Sequence, residues 1–200
     1  MSKVKTAVLV SGGGTNLQAL IDAEQAGRLP HVEFVSVISS RPDAYALTRA
    51  QKAGIPAHTA IRKGQTQEAF EWEILRLLEK DGVQLIILAG FMSILSADFV
   101  GRYPRRILNV HPALLPAFGG KGYYGLRVHE AALERGVKVT GATVHYVNEI
   151  ADGGEIILQK AVNVEPGDTP EILQRRVMEQ AEWIILPQAA EIAAQGILAQ

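Results

Sequence analysis

Two polar side chains close an otherwise apolar stretch. In Ile107-Leu-Asn-Val-His-Pro-Ala-Leu-Leu-Pro116, Asn109 and His111 stand two residues apart. In an extended chain that spacing puts both on one face. Pro112, with no N–H to give a ladder, ends the strand there. A carboxamide can donate to an oxyanion and an imidazole can move a proton, so the pair suits acyl chemistry. A plainer reading also fits, in which a strand-end histidine is satisfied by a backbone carbonyl. His145, in Thr143-Val-His-Tyr-Val147, shares a strand face with Thr143 and reads as a structural histidine. Asp152 heads an Asp-Gly-Gly turn, either as an acid for the chemistry or as a common turn former.

A second segment, Ser11-Gly-Gly-Gly-Thr-Asn16, joins an apolar strand to a helix. Glycines let a backbone approach an anion closely, and the free N–H groups at a helix start attract phosphate. Gly12 and Gly14 match the first two glycines of a dinucleotide fingerprint, but Leu17 stands where the third belongs, and strand two ends in Ser-Ser-Arg without a ribose-binding acid. Arg41 keeps an NADP enzyme open as an alternative, and a turn that binds nothing is another. The terminal phosphate of a small substrate is the preferred reading. Residues 119–125, Gly-Gly-Lys-Gly-Tyr-Tyr-Gly, lack the Ser or Thr that follows Lys in a P-loop and read instead as a lid or insertion.

These residues need a scaffold, and the chain spells one out. Apolar runs at 7–10, 32–38, 85–88 and 107–110 alternate with helical patterns at 17–27, 45–53, 68–80 and one begun by Ser96. That order implies a parallel sheet with right-handed crossovers. Later, 139–147 and 156–164 read as a strand pair around the turn at 152–154, residues 129–135 as a helix, and 168–171 as the start of another. The last helix runs towards residue 195, and Pro187 is expected to kink or break it. The fold class is therefore α/β: a Rossmann-like, mostly parallel twisted sheet with helices on both faces, antiparallel C-terminal strands and a long C-terminal helix.

Composition bounds the function. The chain has 200 residues, 48% hydrophobic and 20% charged, and a net charge of −1. That balance predicts no nucleic-acid or membrane partner. The absence of cysteine removes thiolate chemistry and is compatible with a reducing compartment. Five dispersed histidines show no paired-ligand spacing, so no metal is expected. The opening Met-Ser-Lys-Val-Lys has no signal-peptide core, which together with composition predicts a cytoplasmic protein.

Four segments in order, residues 10–20, 88–92 (Leu-Ala-Gly-Phe-Met), 109–116 and 152–159 (Asp-Gly-Gly-Glu-Ile-Ile-Leu-Gln), resemble the folate-dependent formyltransferases, and their phosphoribosylglycinamide branch in particular. The resemblance covers nearly the whole chain. It implies one formyltransferase domain over 1–200, with a Rossmann-like phosphate-binding half over 1–110 and a folate-binding and C-terminal half over 111–200. It further implies a formyl group passing from 10-formyltetrahydrofolate to the amine of glycinamide ribonucleotide, in a monomer or homodimer. Carried over by motif, Asn109, His111 and Asp152 become catalytic, with Asp152 keeping His111 charged. Gly14, Thr15, Asn16 and Glu182 hold the substrate, with Glu179 as a rival to Glu182. Met92, Leu95, Asn109, Asn148 and Ile150 bound the folate. The chain departs from the family pattern at Ser93 and Gln67, where arginines are usual, at Trp183 after Glu182, and in the longer loop at 119–125. Other folate-dependent formyltransferases or hydrolases, and a non-catalytic nucleotide- or folate-binding module, are the alternatives.

Overall fold

A computed structural model describes residues 2–200. Strands β1 (Val4–Val10), β2 (Val32–Ser39), β3 (Ala57–Thr59), β4 (Leu85–Leu88), β5 (Ile107–His111), β6 (Val139–Tyr146) and β7 (Ile156–Asn163) form one sheet in the order β3-β2-β1-β4-β5-β6-β7. The first five run parallel, and β6 and β7 are antiparallel additions. Strand order reverses between β1 and β4. In such sheets the crevice at the carboxyl ends of the strands flanking the reversal is the natural ligand site.

The strands alternate their loyalties by period two. Val8 and Val10 of β1, Leu85 and Ile87 of β4, and Leu108 and Val110 of β5 enter one core with α1 (Thr15–Gln25), α2 (Tyr45–Lys52), α6 (Pro170–Val177) and α7 (Trp183–Leu198). Ala7, Leu9, Ile86, Leu88 and Ile107 enter the other with α3 (Gln67–Asp81) and α4 (Ala97–Arg102). Continuous apolar runs are the consequence, because each strand is covered on both faces. Asn109 and His111 share the Ile107 face, so the polar pair continues a row that α3 and α4 cover only at its start.

Several boundaries are set by identifiable side chains. Thr66 caps α3, Ser96 caps α4 and Thr169 caps α6, each accepting a backbone N–H. Helix α5 (Leu126–Arg135) begins earlier than the helix expected at 129–135. The three-residue β3 carries no sequence signal of its own. The expected break at Pro187 does not occur, and α7 runs through it. The lost N–H would have served the carbonyl of Trp183, the first residue of α7, where a π-helical turn over Met178–Glu182 has already changed the hydrogen-bond register. No helix among the described residues is long and apolar enough to cross a membrane.

Candidate active site

The site is built where β5 meets β6. Their antiparallel register sets Asn109 opposite His145 and His111 opposite Thr143, so two polar rows with the same two-residue spacing face each other. Thr143 serves the backbone that leaves β5: its hydroxyl donates to Ala113 O (2.7 Å) and accepts from Leu115 N (3.0 Å). The turn after β6 then brings Asp152 back over the pair. Asp152 has φ of 55°, and Gly154 lies so near the preceding strand that a Cβ would sit 1.7 Å from Tyr146 O. Glycine at 154 is thus a packing requirement, and the tight return it permits is what aims the carboxylate inward.

Four side chains converge. Asp152 Oδ2 lies 3.5 Å from His111 Nδ1, and Oδ1 lies 3.5 Å from His145 Nε2. Asn109 Nδ2 is 3.2 Å from His145 Nε2 and 3.4 Å from Asp152 Oδ1. His145 Nδ1–H donates to Tyr146 O at 2.9 Å, and in that tautomer Nε2 accepts one amide proton of Asn109. The second amide proton makes only the long contact to Asp152. His111 Nε2–H donates to Phe118 O at 2.7 Å, which leaves Nδ1 as the ring nitrogen that faces the carboxylate. The backbone carbonyl of the plainer sequence reading is thus present at Nε2, and the second ring nitrogen still faces Asp152.

Burial decides the protonation balance at His111. Desolvation lowers its pKa below the ordinary imidazole value, and the Asp152 carboxylate and the Phe118 carbonyl raise it only part of the way back. Asp152 thus pulls His111 towards its charged form, as the sequence reading expects, while burial pulls the other way and is the larger influence. At Asp152 burial is the largest single influence and raises the pKa, but the His145 and His111 rings and the Gly120 N–H (2.8 Å) together hold it below the usual carboxylate range.

These groups open into a cleft of about 630 Å³. At one end Asn16 Nδ2 donates to Glu182 Oε2 at 2.7 Å. Glu182 closes the π-helical turn, and burial pushes its pKa up to about 7 against the opposing Asn16 bond. Glu179 instead pairs with Arg175 (2.8 Å) on the exposed side of that segment. Gly14 and Thr15 do not line the cleft but flank Asn16 at the start of α1, where no side chain caps the helix and the first N–H groups stay open to an anion. Gly14 has φ of 73°, and a Cβ there would meet Ala46 Cβ at 2.7 Å. At the other end Met92, Leu95, Asn148 and Ile150 line the wall. Asn148 braces the turn, accepting from Ile150 N at 3.0 Å and donating to Gly153 O at 3.3 Å. Gln67 does not reach the cleft; it ties α3 to the 92–96 segment through Ile94 O at 2.9 Å.

Two histidines of the cleft were not expected there. His145 was read as structural; its signal was the repeat of the Asn109–His111 spacing at Thr143–His145, which needs the strand register to interpret. His129 of α5 is fully buried, lines the cleft, and has no hydrogen-bond partner on either nitrogen. Burial and the nearby His111 lower its pKa to about 4.

A doubly wound sheet with an anion-ready helix start, a carboxamide–imidazole–carboxylate cluster and an apolar pocket along one crevice defines a Rossmann-like group-transfer domain. More narrowly, the chain belongs to the formyl transferase family, whose model matches residues 4–190. It is 42% identical over 195 residues to the phosphoribosylglycinamide formyltransferase of Haemophilus influenzae, covering 97% of this chain and 89% of that protein. Over 196 residues it is 45% identical to the trifunctional purine biosynthetic protein adenosine-3 of Gallus gallus, covering 98% of this chain. It spans only 19% of that relative's length. Among solved structures, glycinamide ribonucleotide transformylase 1 from Symbiobacterium toebii superposes with a TM-score of 0.90 at 43% identity, over 97% of this chain and 89% of that one.

Proposed function

We propose that this protein transfers a formyl group from 10-formyltetrahydrofolate to the amine of glycinamide ribonucleotide, giving formylglycinamide ribonucleotide and tetrahydrofolate in de novo purine biosynthesis. The observation that carries the reading is the meeting of Asn109, His111 and Asp152 in one cleft, between an open helix start and an apolar pocket. Family membership and the names of the relatives support it. The chain works as one domain over 1–200, because the cleft takes its walls from both 1–110 and 111–200. The cytoplasm is its proposed compartment.

The apolar end fits a folate. Met92 and Ile150 line the cleft yet stay 58% and 62% exposed, an unpartnered apolar lining of the kind a flat ring system covers. Bound there, the folate supplies an activated formyl group. Met92, Leu95, Asn148 and Ile150 would hold its ring, while Gly14, Thr15 and Asn16 would hold the ribonucleotide phosphate and Glu182 its ribosyl part.

In the transfer a bond forms between the substrate nitrogen and the formyl carbon, and the bond from that carbon to the folate nitrogen breaks. The amine loses a proton and the folate nitrogen gains one. His145 fixes the Asn109 amide plane, and the loosely held second amide proton of Asn109 is the one available to the formyl oxygen as it gains negative charge. Neutral His111, with its tautomer set by Phe118 O, accepts a proton at Nδ1. Asp152 stabilises the resulting imidazolium.

Incubation with glycinamide ribonucleotide and 10-formyltetrahydrofolate is expected to give formylated ribonucleotide and tetrahydrofolate in equal amounts, with turnover lost in His111→Ala. Release of formate independent of the ribonucleotide would replace the reading with a hydrolase. Binding of both ligands without turnover would replace it with a binding module.

A further inference from the structure

Residues 118–125 are not explained by the transfer chemistry alone, yet their backbone grips two of the three titratable members of the cluster, His111 and Asp152. Phe118 O takes the His111 Nε2–H at 2.7 Å, and Gly120 N–H reaches Asp152 Oδ2 at 2.8 Å. The root of the loop leaves no slack: a Cβ on Gly119 would stand 2.4 Å from Leu115 Cδ2 and 3.5 Å from Asp152 Cβ. Phe118 packs edge-on against Tyr123, with ring centroids 6.2 Å apart, and the Arg127 guanidinium covers the Tyr124 ring 5.1 Å from its centroid. Residues 120–125 then form part of the cleft wall.

The charge of that wall is lopsided. Glu149, Asp152 and Glu182 line it, whereas Lys121 is its single Lys or Arg among the described residues. Arg49, the cation bonded to the glycine loop, spends its guanidinium on Gly13 O (2.8 Å) and Gln18 Oε1 (2.9 Å). Both ligands of the proposed reaction are anions, one a phosphate monoester and the other carrying glutamate carboxylates. Beside the uncharged N–H groups at the start of α1, Lys121 is, among the described residues, the one full positive charge that this wall offers an entering anion.

We propose that Lys121 is the anion receptor of this cleft, pairing its ammonium with an oxyanion group of a bound ligand, and that the loop presenting it thereby links ligand seating to the placement of His111 and Asp152. The inference rests on the formyl-transfer reading and adds a binding residue to it. Phosphate and carboxylate are the two sources of the same chemistry, and the α5 end of the loop favours phosphate, because α5 packs on α6, which runs into the π-helical turn that carries Glu182.

The test is steady-state kinetics of the full chain as Lys121→Met and Lys121→Arg, with each ligand varied in turn. Lys121→Met is expected to raise one KM about tenfold or more and to flatten the salt dependence of that KM, since one ion pair is gone. Lys121→Arg is expected to stay within about threefold of wild type. A rise confined to the ribonucleotide assigns the phosphate, and a rise confined to the folate assigns the carboxylate. Both KM values within about twofold of wild type in Lys121→Met, or an equal loss in Lys121→Arg, overturns the proposal. Wild-type turnover in the same assay reports on formyl transfer itself, so failure of that reading is seen separately.

Discussion

Replacing Asp152 by Asn removes one negative charge while keeping the side chain's shape. An amide oxygen in place of Oδ2 still accepts the Gly120 N–H, held at 2.8 Å in the native protein, so the adjoining loop keeps its anchor. What disappears is the carboxylate 3.5 Å from His111 Nδ1. A positioned proton-transfer group commonly contributes about 100- to 10,000-fold, or about 3–5 kcal/mol of barrier. In the proposed mechanism Asp152 acts through His111 rather than alone, which places the expected fall in kcat at about 1,000-fold, with either KM within about threefold of wild type. The substitution also has a signed consequence. Burial lowers the His111 pKa and Asp152 is the foremost influence raising it, so removing the carboxylate must drive that pKa lower still. An NMR titration of the His111 ring reads this directly, independent of turnover, beside initial rates from about pH 5 to 8. Turnover within about tenfold of wild type, or a His111 midpoint that moves up, would refute the reasoning.

Three further outcomes test other parts of the site. Glu182 has a folded pKa of about 7 against an ordinary 4.5; an acid raised in this way stabilises the fold at low pH and loses that contribution as pH rises through the interval. Thermal melts of Glu182→Gln should therefore gain on wild type between pH 5 and pH 8, and a constant Tm difference would count against a buried, proton-holding Glu182. Gly14→Ala forces a Cβ to 2.7 Å from Ala46 Cβ at a φ of 73°, so urea unfolding should show a loss of about 1–3 kcal/mol and kinetics a raised ribonucleotide KM. Unchanged stability would mean the loop is slacker than its geometry states. His145→Ala leaves the Asn109 amide without its 3.2 Å acceptor, and kcat should drop about tenfold or more with the melt transition retained. Full kcat in that variant would return His145 to a purely structural role.

Local physics made much of the architecture readable from residues alone. Short apolar runs at β1 and β4, bounded by turn residues, read as strands covered on both sides, and the Thr66, Ser96 and Thr169 caps mark helix starts that the side chains themselves enforce. The Asn109–His111 spacing placed both residues on one face because strand periodicity is a property of the chain. Short β3 and the passage of α7 through Pro187 were not readable in this way. The first exists only by pairing with β2, and the second depends on the hydrogen-bond register inherited from the π-helical turn before it.

The site divides along the same line. Residue types and their local faces belong to the sequence: an amide, an imidazole, a carboxylate in a glycine turn, and a glycine-led helix start. Which of these meet was settled by tertiary structure, because sheet register and turn geometry act between residues far apart in the chain. Register set His145 opposite Asn109, and the turn swung Asp152 to within 3.5 Å of both histidines. Protonation was decided there too. A carboxylate beside a histidine raises the imidazole pKa, but the desolvation that lowers it at His111 is the summed effect of every group that excludes water from it, and no single segment carries that sum.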